Sequence, residues 1–380
     1  MRIYKNLKFI SAVVLFPIFA LLTGCGGSSG GAATTSSLTQ MGGGKQGGPL
    51  SLTATVSTLA GSALVSGFTD GTGATARFNR PYNITTDGAN LYITDTVNNT
   101  IRKVVISTGV VTTLAGAAGV SGHADGIGAA ATFNFPNGIT TDGTNVFVSE
   151  TSNNTIRKIV ISTGAVATLA GTAGVSGHAD GTGSAATFNG PSGITTDGTN
   201  LYVSEGTNSL IRQIAISSGV VTTLAGTAGV WGHADGTGSA ATFNFPYNIT
   251  TDGTNLYIAD SINSTIRKLV ISSGVVTTLA GTALSSGYVD ATGAAARFNY
   301  PDGLATDGTN LYVGECVNHT VRKVALATGA VTTLAGSSVT SGHADGVGTA
   351  ATFNNPCGIT SDGTNLYVTD TDNFTIRKIQ

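Results

Sequence analysis

Eighteen of the 20 acidic residues recur at three fixed places along the chain. Asp87, Asp142, Asp197, Asp252, Asp307 and Asp362 form one set. Asp70, Asp125, Asp180, Asp235, Asp290 and Asp345 form a second, and Asp95, Glu150, Glu205, Asp260, Glu315 and Asp370 a third. Six arginines, Arg102, Arg157, Arg212, Arg267, Arg322 and Arg377, keep step with them. Carboxylates and guanidinium groups can do acid–base work, but a catalytic site needs a local, asymmetric constellation. Sixfold repetition instead indicates turn caps and ion pairs between repeated units. His123, His178, His233 and His343 also recur, within Gly-His-Ala-Asp-Gly, while Phe68 and Tyr288 take that place in the other two copies. The shared property is an aromatic ring, so packing is expected there rather than zinc, whose sites need three or four groups converging. Phe78, Phe133, Phe188, Phe243, Phe298 and Phe353 are expected to plug the core. The glycine-rich run lacks the Lys-Ser/Thr of a phosphate loop and the alternating acids of a calcium loop.

These sets are spaced 55 residues apart, as are the glycines at 61, 116, 171, 226, 281 and 336. Each unit holds four short β-rich runs, with Asp-Gly between the first two and Ser/Thr-Gly between the last two. Such a meander has two apolar faces and buries both only between neighbours, which predicts an all-β, six-bladed β-propeller of four-stranded antiparallel blades over 53–380. The chain opens on a last-strand sequence, Val56 to Gly61, and stops after a third-strand sequence, Thr375 to Ile379. The amino-terminal strand should therefore complete the last blade.

The pattern Pro-x-Gly-Ile-x-x-Asp, then Asn-Leu-Tyr-Val-x-Asp/Glu, Asn-His-x-Val-Arg-Lys (fullest at Asn318 to Lys323) and Val-Thr-Thr-Leu-Ala-Gly resembles the NHL repeat. The resemblance covers residues 55–380 and implies the propeller fold. NHL-type propellers include protein-binding and RNA-binding modules, and related six-bladed propellers include lactonases and an amidating lyase, so the fold leaves function open.

Successive strands alternate direction, which puts the long interblade loops and the loops after second strands on one face and the Thr-Asp-Gly turns on the other. Variation concentrates on the loop face, around each Pro: Arg80-Pro-Tyr82-Asn83, Phe135-Pro-Asn137-Gly138, Gly190-Pro-Ser192-Gly193, Phe245-Pro-Tyr247-Asn248, Tyr300-Pro-Asp302-Gly303 and Asn355-Pro-Cys357-Gly358. Blades one and four alone carry Tyr-Asn, so Tyr82 and Asn83 should face Tyr247 and Asn248 across the axis. The binding candidates are Arg80, Tyr82, Asn83, Asn137, Tyr247, Asn248, Asp302, Glu315 and His319. The tyrosines either clamp a small polar molecule or plug the channel. Cys316 and His319 have the types of a nucleophile and base, yet Cys316 and Cys357, on adjacent blades and one face, are equally suited to a disulfide or to remaining free thiols.

Arg2, Lys5 and Lys8 precede an apolar stretch from Phe9 to Leu22, too short to span a bilayer, and Leu22-Thr23-Gly24-Cys25 resembles a bacterial lipobox. Residues 1–25 are thus expected to be a lipoprotein signal peptide with lipidation at Cys25, and 26–52 a flexible Gly/Ser-rich tether. The expected location is outside the cytoplasm, across the inner membrane, periplasmic or cell-surface and held by lipid alone, with the outer membrane favoured. A formal charge of −2 argues against nucleic acid, which needs a basic face. No cofactor is expected; an axial calcium would find only Asp302 as carboxylate, with neutral oxygens from Asn83, Asn137, Asn248 and Asn355. The reading is a monomeric, non-enzymatic binding or scaffold module for a protein or small polar ligand at its loop face, with a metal-bearing lactonase or lyase as the alternative.

Overall fold

The computed structural model describes residues 48–380. The leader, Cys25 and the tether up to residue 47 lie outside the described residues. The rest is a six-bladed β-propeller. In blade one the strands are Pro81–Thr86, Asn90–Asp95, Thr100–Val105 and Val110–Ala115, running from the axis outward. The other blades repeat this order.

Both faces of each blade are buried because alternate residues serve opposite neighbours. Leu91 and Ile93 pack with Tyr367 and Ile376 of blade six, whereas Tyr92 between them packs with Val146 and Val148 of blade two. Six such apolar clusters fill the gaps between blades. The ring closes as the repeat register requires. Thr55–Gly61 pairs antiparallel with Thr375–Ile379, from Val56 opposite Ile379 to Gly61 opposite Thr375.

Five blades carry a further two-residue edge strand, such as Gly71–Thr72 against Val110 and Val111. The chain folds back tightly there: a Cβ on Gly126 would lie 3.0 Å from the carbonyl carbon of Ala130. Blade five has Ala291 in place of that glycine, and its pairing shrinks to a single bridge between Thr292 and Ala330.

The repeated acids and arginines build the frame. Asp87 Oδ1 accepts from the backbone of Ala89 and Asn90, capping the first turn as expected. Arg102, wholly buried, donates to Asp95 Oδ2 at 2.8 Å and to Asp70 Oδ1 at 2.7 Å. Its guanidinium covers the ring of Phe78 at 5.1 Å, a cation–π contact repeated in every blade. These ion pairs were expected between blades, but they lie within one. Asp70 also accepts from Thr113 of the same blade, so the triad fastens each long loop to its own sheet. The four histidines are exposed on the rim together with Phe68, and the expected packing is met only at Tyr288, stacked over Arg322 at 4.9 Å.

The folded unit takes in more of the amino terminus than the sequence suggests. Leu50 and Leu52, placed in the tether by composition, pack onto the core between blades five and six. Leu50 N donates to Asp307 Oδ2 at 3.0 Å, which brings the chain into the propeller at the Asp-Gly turn face.

Candidate functional site

Each innermost strand begins with a bulge. In blade one the ladder passes from Pro81 opposite Asp95 directly to Ile84 opposite Ile93, so Tyr82 and Asn83 share the space facing Thr94. The same shift follows the Pro of every blade. A bulge re-aims side chains, and here six first-after-Pro residues gather round the axis: Tyr82, Asn137, Ser192, Tyr247, Asp302 and Cys357. The residue before each Pro adopts left-handed backbone, with φ of 54 to 66° at Arg80, Phe135, Gly190, Phe245, Tyr300 and Asn355. Only Gly190 does so without strain.

The tyrosines of blades one and four meet. The Tyr82 and Tyr247 ring centroids are 5.8 Å apart at 50°, Phe245 stacks on Tyr247 at 5.7 Å, and Tyr300 joins at 6.5 Å. Tyr82 OH donates to Asp302 Oδ2 at 2.8 Å, and Asn137 Nδ2 donates to Tyr247 OH at 3.0 Å. This aromatic cluster closes the mouth from the loop side. Beneath it lies a narrow axial cavity of ≈ 20 Å³, lined by Asn83, Asn248, Ile84, Ile249 and their equivalents.

Asp302 is wholly buried and its Oδ1 has no hydrogen-bond partner. Burial pushes its carboxyl up to about 7, against hydrogen bonds from Tyr82, Cys316 and Asn248. Burial also raises the Tyr82 phenol well above its usual range, with the Asp302 charge adding to the effect. Cys316 Sγ lies 3.4 Å from Asp302 Oδ2 and 2.8 Å from Cys357 Sγ, with both thiols buried and unbonded.

The other candidates fall elsewhere. Glu315 is not at the mouth: it is buried against Arg322 at 2.7 Å, like its five equivalents, and burial raises its carboxyl. Arg80 is half exposed and pairs with Asp372 at 3.1 Å. His319 Nδ1 accepts from Asn355 N at 3.2 Å, just as Asn99 Oδ1 accepts from Phe135 N and Asn154 Oδ1 from Gly190 N. His319 is thus an acceptor joining two blades, and burial lowers its basicity. A Cys316–His319 nucleophile and base is not what the geometry builds. Of the candidate amides, Asn83 Oδ1 and Asn248 Oδ1 each accept the next residue's N–H at 2.8 Å, whereas Asn137 Oδ1, like Asp302 Oδ1, is buried without a hydrogen-bond partner.

Sequence reasoning missed the hydroxyl clasps. Thr96, Thr151, Ser261 and Thr371 each donate to the carbonyl of the next blade's Pro at 2.7 to 2.9 Å. The signal was a hydroxyl residue at a fixed place after the second strand. Phe245 and Tyr300, the residues before Pro in blades four and five, are not among the expected binding residues, yet both belong to the aromatic cluster.

No protein-family model matches the chain. It is 27% identical over 291 residues to human NHL repeat-containing protein 2, covering 67% of this chain and 40% of the relative. The chicken (Gallus gallus) protein of that name is 28% identical over 335 residues, covering 78% and 46%. The chain therefore spans less than half the length of these curated relatives. Among solved structures, a protein of unknown function from Bacteroides thetaiotaomicron superposes with a TM-score of 0.66 at 21% identity, covering 86% of this chain and 75% of that one. An auxiliary nutrient binding protein of the same organism gives 0.65 at 18%, covering 86% and 76%. A streptogramin B lyase gives 0.50 at 14%, covering 86% and 97%. At these identities the structures share the fold.

Proposed function

We propose that this six-bladed propeller of NHL-type repeats is a non-enzymatic binding module that engages a protein through its loop face. The observation carrying this reading is the placement of exposed apolar side chains. Leu64, Phe68, Trp231, Leu284 and Val339 are 63, 64, 68, 67 and 90% exposed, and all lie in the interblade loops. Val97, Ile262 and Val317 add to them from the loops after second strands. Leu284 N donates to Asn263 O and Gly119 N to Asn98 O, so the two sets of loops form one rim. Among the described residues, Ile127, Val220, Val275 and Val347 are exposed at the other end, on the outer blade edges beside the Ser/Thr-Gly turns, and no exposed large apolar residue lies in an Asp-Gly turn. An apolar rim on one face is what a protein interface uses. With the tyrosine cluster closing the axis, the rim rather than a deep pocket offers the contact area. The nutrient-binding propeller of similar fold supports a binding role, and the charge of −2 suits a protein better than a polyanion.

A lipid on Cys25 with the intervening flexible tether would hold the propeller near an envelope membrane. Cys25→Ala should leave the membrane fraction or accumulate as precursor; unchanged processing and fractionation would remove the anchor from the reading.

The binding face is tested by comparing two variants in cross-linking to native envelope extract. Trp231→Glu with Leu284→Glu, on the loop face, should lose the cross-linked species. Ile127→Glu with Val275→Glu, on the outer edges of blades, should retain it. Loss in the second pair and not the first would overturn the assignment.

A further inference from the structure

The innermost strands of neighbouring blades are held together by two hydroxyl clasps. One is the donation to the next Pro carbonyl described above. The other comes two residues earlier: Thr94 donates to Asn137 O at 2.8 Å, Ser204 to Tyr247 O at 2.8 Å, Thr369 to Tyr82 O at 2.7 Å, and Ser149 to Ser192 O. Five of the six interfaces keep at least one of the two. The interface between blades five and six keeps neither, because Gly314 and Cys316 stand at the clasp positions, and the Cys316 thiol is 3.9 Å from the Pro356 carbonyl.

Gly314 lets the two blades approach where the other blades carry a side chain: a Cβ there would lie 2.6 Å from Pro356 O. The backbones are also close at Gly303, where a Cβ would lie 2.1 Å from Cys357 O, as one on Gly138 would lie 2.2 Å from Ser192 O between blades two and three. This approach sets Cys316 Sγ and Cys357 Sγ 2.8 Å apart, inside van der Waals contact for two unbonded sulfurs, with the residues 6 and 1% exposed.

We propose that Cys316 and Cys357 form a disulfide that staples blade five to blade six in place of the missing clasps. Closing to a bond of about 2.05 Å needs a shift of less than 1 Å. Seating zinc between the thiolates would spread the sulfurs to roughly 3.8 Å, as tetrahedral Zn–S bonds of about 2.3 Å require, in an interface with little slack. The oxidant is a second disulfide. One cysteine, as thiolate, attacks it to give a mixed disulfide and release a first thiol. The other cysteine, as thiolate, then attacks its partner's sulfur and expels the second thiol. The pair loses two electrons and two protons, and the oxidant is reduced to two thiols. With both sulfurs enclosed, the exchange belongs to folding, before blades five and six close, and the finished bond is shielded from reductant.

The test uses the full chain folded with glutathione disulfide, then denatured without reductant, alkylated and digested with trypsin. A covalent link between the peptides spanning residues 298–322 and 324–377 is expected. It should persist when the folded protein is treated with a phosphine reductant and vanish when denaturant is added. Alkylation of both cysteines before any reduction would overturn the proposal, and so would free thiols accompanied by stoichiometric zinc or copper. Cys316→Thr provides a second readout, because it restores a hydroxyl clasp and removes the bond. Prior reduction under denaturing conditions should lower the thermal midpoint of the refolded parent and leave that of the variant unchanged. Equal effects on both would also count against the staple.

Discussion

Tyr82 on blade one donates its phenolic hydrogen to Asp302 on blade five, 2.8 Å away and 220 residues later in the chain. Blade six lies between these blades in the ring, so the bond reaches across the axis and ties two non-adjacent innermost strands. Tyr82→Phe keeps the ring in the aromatic cluster but removes one of the donors to a buried carboxylate. A loss of about 1–3 kcal/mol is expected in urea unfolding at pH 7. No change in midpoint would mean that the hydroxyl and carboxylate are not coupled in solution.

Asp302 should also leave a signature in the pH dependence of stability. Its folded value of about 7 lies above the ordinary aspartate value of 3.8, so the folded state holds the proton more tightly. This contribution is fully present below about pH 4 and is lost as pH rises through 7. The difference is on the order of 4 kcal/mol, from about three units at 1.36 kcal/mol each. Asp95, Asp260 and Asp370, raised to about 6, add to the same trend in both proteins. Asp302→Asn should therefore be less pH-dependent than the parent between pH 4 and 8, and relatively more stable at pH 8. Parallel curves for the two proteins would contradict a buried carboxyl that holds its proton in the folded state.

The frame makes a sharper contrast within one blade. Arg157 is wholly buried between Glu150, also buried, and Asp125, whose side chain is 51% exposed. Arg157→Ala leaves Glu150 uncompensated and should cost about 3–5 kcal/mol. Asp125→Ala leaves the inner pair intact and should cost about 1 kcal/mol, the loss being mainly its hydrogen bonds to Thr168. Chemical denaturation of both variants provides the comparison, and equal losses would be inconsistent with the burial asymmetry.

Closure predicts the effect of truncation. Deleting residues 51–61 removes the strand paired with Thr375–Ile379 and the Leu52, Val56 and Ala60 side chains packed around blade six. The exposed edge and apolar faces should lower solubility and the thermal midpoint. An unchanged midpoint would show that the ring does not depend on that strand.

Much of this architecture was legible because a 55-residue period leaves few alternatives: meanders apolar on both faces must lie between copies of themselves. The strand order and the shared amino- and carboxy-terminal blade followed from the phase of that period. The mouth was legible as the positions flanking each Pro, and the meeting of Tyr82 with Tyr247 followed from their opposed blades. The bulge geometry and the joining of Phe245 and Tyr300 to the cluster have no local sequence signal. Glu315 and His319 looked distinctive in a deviant blade, yet one repeats a buried ion pair and the other substitutes its imidazole for an asparagine carbonyl. Leu50 and Leu52 were hidden by the glycines around them, although two leucines in a polar stretch are themselves a docking signal.

The central claim, that the loop rim is the working face, is tested most directly by carbene footprinting of the protein in intact cells that express it against the purified protein. The account predicts protection of Leu64, Trp231, Leu284 and Val339 in the cells, with the innermost tyrosines unchanged. Protection confined to the turn face, or an unprotected rim in the cells, would contradict it.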